Sequence, residues 1–348
     1  MAQYTVLVTG SGGQAALSII KCLRLAGEKY RIITTDVDPL LAGPYVGDKG
    51  YLIEKGWNLF IPQLNKICAN ERVDIIIPGS DIEIDHLSSR REKLNTPIIL
   101  ADKKIVKISR DKLLLSQWLE KKGFPYPRTF KGLMDINPFP RFIPYPVIIK
   151  PRMGWGSNDQ TRIKSEEEMR AYREFFREQG KLTEDSMITQ ELLDGTELSG
   201  MAIISKDGEI LNISCAESVK KFGMSYKTIH GSEEDYLDFK SLVTKIVGKL
   251  GATGPLSIQG FKTSSGEIKI FEFNPRFTGA QIVRAHGGVN GPDILIENWL
   301  NGTKQYPTVK ERFVALWYAD YLYIPYNDYE NLKTKKEIEK KGVGYYLL

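Results

Sequence analysis

Cysteine and histidine are scarce, three of each in 348 residues. Cys22, Cys68 and Cys215 form an odd, scattered set without metal-finger spacing, each among apolar neighbours as reduced core thiols are. His86, His230 and His286 are equally isolated, which argues against a zinc centre. No apolar run approaches the ~18 residues that mark a membrane-spanning helix. The opening MAQYTVLVTG enters a strand directly, without a charged-then-apolar leader, so a soluble cytoplasmic protein is expected. Internal repeats and low-complexity tracts are missing, and no basic run is interleaved with aromatics as a base-stacking platform. Neither nucleic acid nor membrane is therefore an expected partner. The net charge of +5 is the small difference between 48 basic and 43 acidic residues. The densest basic run, Lys333–Lys341, alternates with Glu337 and Glu339 and reads as a solvated helix face.

What is present is globular: 42% hydrophobic and 26% charged residues, enough for sizeable cores in two or three domains. Tyr4–Thr9 is a β-branched strand run ending in Gly10-Ser11-Gly12-Gly13-Gln14-Ala15, followed by a helical pattern over Ala16–Leu25. Gly27 stops that helix, and a second strand, Tyr30–Thr35, closes on Asp36. This βαβ unit fits G-x-G-x-x-(G/A) at Gly10, Gly12 and Ala15. Two readings stand at this point: a dinucleotide (NAD) site with Asp36 on the ribose hydroxyls, or glycines that only let the chain turn tightly. Val73–Ile77, a helix over Ile82–Leu94 and a strand over Pro97–Leu100 continue an open parallel α/β sheet to about residue 105. Asp81, Glu83 and Asp85 then sit at a strand's carboxyl edge, as ligand groups or as acids favoured by a helix N-terminus.

Ser109–Lys121 reads as a helix with Lys112 in its first turn, where a cation is disfavoured unless an anion lies nearby. Pro138–Pro146 is a proline-rich surface connection. The strand Pro146–Pro151 ends in Lys150-Pro151 and runs into Arg152-Met153-Gly154-Trp155-Gly156-Ser157-Asn158. Backbone N–H groups of such a loop can fold over phosphates, with Lys150 placed to neutralise them. Ser165–Gln179 is an amphipathic helix turning Met169, Tyr172, Phe175 and Phe176 inward. After the strand Ser186–Gln190, Leu193 offers a backbone N–H and C=O suited to an adenine edge, and Glu197 is placed for ribose hydroxyls. Met201–Ser205 and Glu209–Ser214 read as a hairpin around Asp207-Gly208. Lys220, Lys221, Tyr226 and His230 fall in an expected loop over the substrate.

The most informative stretch is Ser257–Arg276, SIQGFKTSSGEIKIFEFNPR. Strands over Ser257–Phe261 and Ile268–Phe273, joined by a turn centred between Ser265 and Gly266, set Gln259 opposite Glu272. Alternation puts Glu272 and Asn274 on one face and Phe271 and Phe273 on the other. A carboxylate, two amide oxygens and the guanidinium of Arg276 suit a hard metal clamping a polyphosphate; a plain hairpin with a solvated polar face is the alternative.

With these pieces in chain order, residues 1 to about 305 resemble the ATP-grasp superfamily, in particular stand-alone carboxylate–amine ligases related to one synthetase half of the carbamoyl-phosphate synthase large chain. The resemblance implies ATP with Mg2+, or Mn2+ in its place, on Gln259, Glu272 and Asn274. It matches Lys112 and Lys150 to the nucleotide lysines and Met153, Gly154, Gly156 and Ser157 to the mobile glycine loop. Gln190, Glu191 and Leu193 match the adenine hinge, Glu197 the ribose position, and Lys150 and Arg276 the catalytic cations. The implied fold is an open parallel α/β pre-grasp sheet over 1–108, which does not use NAD. A two-lobed grasp follows, an N-terminal lobe over 109–189 and an α+β C-terminal lobe over 190–348. Phe313–Tyr323 is expected to add strands to the latter. Trp155 between the glycines departs from the family's longer glycine run. Glu217–Glu234 departs from the carbamoyl-phosphate pattern, which argues against bicarbonate as substrate. The implied chemistry is ADP-forming ligation of a small carboxylate to a small amine, in a monomer or a homodimer; a nucleotide-binding protein without turnover and an NAD-dependent oxidoreductase are the competing classes. Arg284, ten residues past Asn274, is the candidate clamp for the substrate carboxylate, because a guanidinium fork matches it bidentately.

Overall fold

The computed structural model describes residues 2–133, 143–154, 160–179, 184–221, 224–232, 234–309, 311–317 and 324–339. β1 (Tyr4–Thr9) buries Val6, Leu7 and Val8 completely, as a strand covered on both faces must. Then come α1 (Gln14–Leu25), β2 (Tyr30–Asp36), α2 (Gly43–Val46), β3 (Lys49–Leu52), α3 (Trp57–Glu71), β4 (Ile75–Pro78) and α4 (Asp81–Ser88). The four strands are parallel in the order β3-β2-β1-β4. The chain thus reverses its direction of travel at β1, and the crevice at the carboxyl ends of β1 and β4 is the topological switch point. The helix expected to reach Leu94 stops at Ser88, with a 3-10 turn at Arg91–Lys93. The strand expected at Pro97–Leu100 is reduced to one parallel bridge, Ile76 to Ile98.

The single helix expected over Ser109–Lys121 is two, α5 (Lys103–Arg110) and α6 (Lys112–Lys122). Asp111 breaks them: it is extended, and its carboxylate caps α6 by accepting from the Leu113 and Leu114 N–H groups at 3.0 and 3.1 Å. A small lobe follows, built from β5 (Thr129–Lys131), β6 (Val147–Pro151), β7 (Thr161–Ile163), α7 (Glu166–Gln179) and β8 (Met187–Glu191). Its sheet runs β5-β8-β6-β7, and Leu133, Ile143, Val147, Ile149, Ile163, Met169 and Met187 form a core of its own. Tyr172 and Phe176 of α7 pack on that core as expected, whereas Phe175 points to solvent, 56% exposed.

The third unit is a six-stranded sheet with α8 (Leu237–Leu250) on one face. Its strands are β9 (Thr196–Ile204), β10 (Ile210–Lys221), β11 (Met224–His230), β12 (Gly254–Lys262), β13 (Ile268–Asn274) and, beyond α9 (Gln281–His286) and α10 (Gly291–Asn301), β14 (Phe313–Leu316). The order is β13-β12-β9-β10-β11-β14. Lys220, Tyr226 and His230, expected in a loop, lie in β10 and β11, because pairing across the sheet satisfies a backbone whose side chains are mostly polar. β14 extends the sheet at Phe313–Leu316 as expected; 318–323 lies outside the described residues. The chain then leaves this unit. α11 (Tyr326–Lys335) and β15 (Glu337–Glu339) pack on the N-terminal sheet, β15 antiparallel to β3. The basic run from Lys333 is therefore no continuous helix face: Lys336 turns at φ 63°, and Ile338 is buried in an edge strand.

Candidate active site

The hairpin of β12 and β13 pairs Gln259 with Glu272 and Ser257 with Asn274, the expected register. The Asn274 Nδ2 donates to Glu272 Oε1 at 2.9 Å, so these side chains share a face. One expectation fails. A bulge shifts the register between Gln259 and Gly260, and Phe271 is left without a partner. Ile270 and Phe273, three apart rather than two, are the core residues, and the Phe271 ring turns outward beneath the Lys150 ammonium, 5.6 Å from its centroid. The bulge thus gives the lysine an aromatic floor beside the carboxylate.

Lys150, at the end of β6, is buried, and its ammonium makes no hydrogen bond to a described residue. Burial first, and then the charge of Lys112, push its ammonium down to about 8. Lys112 is shifted the same way, mainly by burial, with Glu272 opposing. Its Nζ donates to the Gly154 carbonyl at 3.1 Å, and its N–H to the Arg152 carbonyl at 3.0 Å, so the start of the glycine loop is stitched to α6. The Arg152 fork grips Asp111 at 2.6–2.9 Å. Met153 is exposed and bridges to Asp111; Gly156 and Ser157 lie outside the described residues. Asp81, Ser109, Lys112, Gly154, Glu272 and Asn274 line one cleft of about 350 Å3.

Lys220 was read from sequence only as loop cover. Its Nζ donates to Gln259 Oε1 at 2.6 Å and ion-pairs with Glu197. One ammonium thereby links the Gln259 amide to the Glu197 carboxylate, whose pKa burial raises in spite of it. At the hinge, Gln190 is buried and donates to Thr129 Oγ1 at 2.7 Å. The Glu191 carboxylate is held by Lys269 at 2.6 Å and by the Arg128 N–H at 3.1 Å. Leu193 makes no backbone–backbone hydrogen bond to a described residue. Gly195, at φ 132°, lies so close to β12 that a Cβ there would sit 2.1 Å from the Lys262 carbonyl oxygen, and this contact fixes the turn between hinge and Glu197.

Arg276 does not stand free: its Nε and Nη2 bind Asp81 at 2.8 and 2.6 Å, and its Nη1 binds the Phe277 carbonyl. Arg284, on α9, is 1% exposed and among the described residues has only neutral partners, the Ala280 carbonyl and the Ser199 carbonyl and hydroxyl. Its Nε is unbonded, and burial lowers its pKa to about 10. The N-terminal glycine turn is filled by its own chain. Asp36 Oδ2 accepts from the Gly12 N–H at 2.8 Å, and a Cβ on Gly12 would meet Leu41 at 2.5 Å. The carboxylate that a ribose would need is already occupied by the turn.

Phosphate and a hard cation suit this constellation. A buried lysine whose ammonium has no hydrogen-bond partner among the described residues suits an anion. Glu272 Oε2 and Asn274 Oδ1 accept no hydrogen bond from a described residue and are oxygen donors of the kind Mg2+ takes. No group of three His, Cys, Asp or Glu fit to hold a metal occurs among the described residues, so a cation here would complete its shell with phosphate and water.

Two known families match parts of this chain. The family described as ATP-grasp domain matches residues 109–280, and that described as PylC-like, N-terminal domain matches residues 6–99. The carbamoyl phosphate synthase large chain of Thermotoga petrophila is 24% identical over 304 residues, spanning 78% of this chain but only 27% of the relative. The formate-dependent phosphoribosylglycinamide formyltransferase of Ignicoccus hospitalis is 24% identical over 283 residues, 78% of this chain and 68% of that protein. Among solved structures, the ADP complex of an N5-carboxyaminoimidazole ribonucleotide synthetase superposes with a TM-score of 0.71 at 18% identity, covering 90% of this chain and 81% of the other. The biotin carboxylase domain of Hydrogenobacter thermophilus 2-oxoglutarate carboxylase superposes with a TM-score of 0.70 at 16% identity, covering 90% and 74%. At these identities the superpositions show a shared fold.

Proposed function

This chain carries an ATP-grasp domain over residues 109–280 behind a PylC-like N-terminal domain over residues 6–99, and on that premise we propose that it is an ATP-dependent carboxylate–amine ligase. The observation that carries the reading is the meeting of Glu272, Asn274 and Lys112 on one cleft, with Lys150 near enough to feel the charges of Lys112 and Glu272 and its ammonium bonded to no described residue. The substrates are ATP, a small carboxylic acid and a small amine. A magnesium ion on Glu272 and Asn274, with Gln259 beside them once Lys220 yields, would supply Lewis-acid neutralisation of the phosphates. Lys150 and Lys112 bind phosphate charge from the lobe side, and Arg276 from the base. The Leu193 N–H and C=O read the adenine edge, and Glu197 accepts from the ribose.

The acid's carboxylate oxygen attacks the γ-phosphorus in line; the bond to the ADP oxygen breaks and an acylphosphate forms. The amine nitrogen then adds to the acyl carbon, loses a proton, and phosphate departs, leaving an amide. The cations stabilise the charge spreading over the transferring group, and the glycine-loop segment 153–158 keeps water from the acylphosphate. In this reading Arg284 holds a carboxylate of the acid, which is what a buried guanidinium with only neutral partners lacks. Arg284→Lys should weaken acid binding at least about tenfold through loss of the fork; unchanged affinity removes that assignment. No helix among the described residues is long and apolar enough to cross a membrane. The three cysteines are buried and form no disulfide, which fits work in a reducing, ATP-supplied compartment such as the cytoplasm.

The decisive experiment is an ADP-release screen across amino acids and small carboxylates with Mg–ATP, followed by product mass. A product equal to acid plus amine less water supports the ligase. Metal-dependent ATP binding without ADP release under any mixture favours a nucleotide-binding protein instead, and stabilisation by NAD rather than Mg–ATP removes the assignment.

A further inference from the structure

The arginine that follows the metal hairpin is held from the other end of the chain. Arg276 and Asp81 are 195 residues apart, and both are largely buried, with side-chain exposures of 16% and 12%. The contact is fork to carboxylate: Nε to Oδ1 at 2.8 Å and Nη2 to Oδ2 at 2.6 Å. The Phe277 carbonyl takes Nη1 at 2.9 Å. Three of the five N–H groups of the guanidinium are thus committed, and two carry no bond to a described residue. A bidentate carboxylate fixes the guanidinium plane as well as its position, which a single hydrogen bond would not do.

Asp81 is itself firmly placed. It is the first residue of α4, where the helix N-terminus favours a negative charge, directly after β4 at the switch point of the parallel sheet. Burial opposes its ionisation, but Arg276, Arg110 and Lys112 hold its pKa below the ordinary carboxylate value. It lines the same cleft as Glu272, Asn274 and Lys112.

We propose that Asp81 is a positioning residue: through it the N-terminal domain aims the two uncommitted N–H groups of Arg276 at the transferring phosphoryl group. The proposal rests on the ligase reading above and deepens it, because it gives the N-terminal domain a part in phosphoryl transfer. Arg276 acts on the phosphate, and Asp81 acts through Arg276 alone. Its effect therefore falls on turnover rather than on nucleotide affinity, and it vanishes when Arg276 is gone.

The test uses the full chain with Mg–ATP for single-turnover ADP release and magnesium with a non-hydrolysable ATP analogue for binding. Asp81→Asn should slow ADP release about 10- to 100-fold, the usual cost of losing an orienting partner. Analogue affinity should stay within about threefold and Tm within about 3 °C. Asp81→Glu, which keeps the charge one methylene further out, should recover part of the rate and serves if the amide variant folds poorly. In an Arg276→Ala background, Asp81→Asn should cost nothing more. An additive loss in the double variant overturns the proposal, as does a fall in Tm with the rate per folded molecule unchanged, which marks a staple. A faster rate in Asp81→Asn also overturns it, since Asp81 would then compete with phosphate for the arginine. A wild-type chain that does not bind the magnesium–analogue pair fails on different grounds, and the ligase reading falls with it.

Discussion

The small lobe and the rest of the molecule are built on opposite principles. The lobe closes its sheet around Val147, Ile149, Ile163, Met169 and Met187, a core that includes nothing from either neighbour. The N-terminal and C-terminal sheets, at opposite ends of the sequence, instead share one cluster in which Leu7, Ile33, Phe60 and Ile76 are continuous with Leu198, Phe239, Leu256 and Phe273. Polar ties reinforce that union: Lys29 pairs with Asp293 and Glu297 at 2.7 Å, Ser18 Oγ accepts from the Ile282 N–H, and Asn290 donates to the Cys22 carbonyl. The lobe is joined to the base by ion pairs and backbone bonds, notably Asp111 with Arg152 and Glu191 with Lys269. The difference separates two duties. Glu272, Asn274 and Arg276 ride on a body whose two sheets share their cores, while Lys150 and the start of the glycine loop ride on a lobe with a core of its own.

The largest test of that contrast is thermal. Phe239→Ala should cost about 3–5 kcal/mol and loosen both large sheets together, since its ring fills the shared cluster. Met187→Ala should cost about 2–5 kcal/mol confined to the lobe. Calorimetry with hydrogen exchange reads both. If Phe239→Ala accelerates exchange in β12 but leaves β1 protected, the common core is two cores in contact and the contrast breaks.

Next in size is Lys150→Met. Losing a buried partner of phosphate should weaken Mg–ATP binding by about 2–3 kcal/mol, roughly 30- to 150-fold, with little change in Tm. The pH dependence has a definite sign. The free ammonium titrates near 8; phosphate favours its charged form, so binding takes up a proton above that pH and affinity falls as pH rises. Calorimetry in buffers of differing ionisation enthalpy should show that uptake in wild type and none in the variant.

Glu83 tests the base alone. Burial raises its carboxyl to about 8 against an accepted bond from Thr9 Oγ1. Folded Glu83 keeps a proton that the unfolded chain releases at its ordinary pKa of about 4.3, so stability falls as pH climbs from there to about 8 and then levels. Glu83→Gln should abolish that slope and stabilise the base transition at pH 8, leaving the lobe's transition in place. A slope surviving in the variant assigns the proton elsewhere.

Legibility in the sequence followed the range of the interaction. The β12–β13 hairpin was readable because its register depends on a local turn and on alternation, which set Gln259 against Glu272. The bulge was not: Ile270, Phe271 and Phe273 are all apolar, and only the packed core decides which of them faces out. Lys112 was singled out by a cation's misfit at a helix start, but its break from α5 depended on Asp111, whose cap competes with helix continuation. The Asp81–Arg276 fork leaves no local trace, since the strand-edge acid and the hairpin arginine meet only after two domains dock. Lys220 was misplaced for a related reason: Glu217–Lys221 contains a single apolar residue, and neighbouring strands make it a strand. The tail beyond Lys335 crosses back to β3, a partner that its charge pattern does not indicate.

The smallest effect belongs to the seam between the two bodies. Arg152, first residue after β6, sets its fork on Asp111, which also caps α6, so one carboxylate serves lobe and base at once. Arg152→Lys keeps the charge and loses the fork, which should cost about 1 kcal/mol because the pair is partly exposed. The loss should appear at the seam and nowhere else. The Lys112 amide, bonded to the Arg152 carbonyl at 3.0 Å, should exchange about fivefold faster, with β6, β8 and β12 unchanged. Exchange rising throughout β6 and β8 would mean that Arg152 belongs to the lobe's own fold, and the line between base and lobe would then run on the far side of α6.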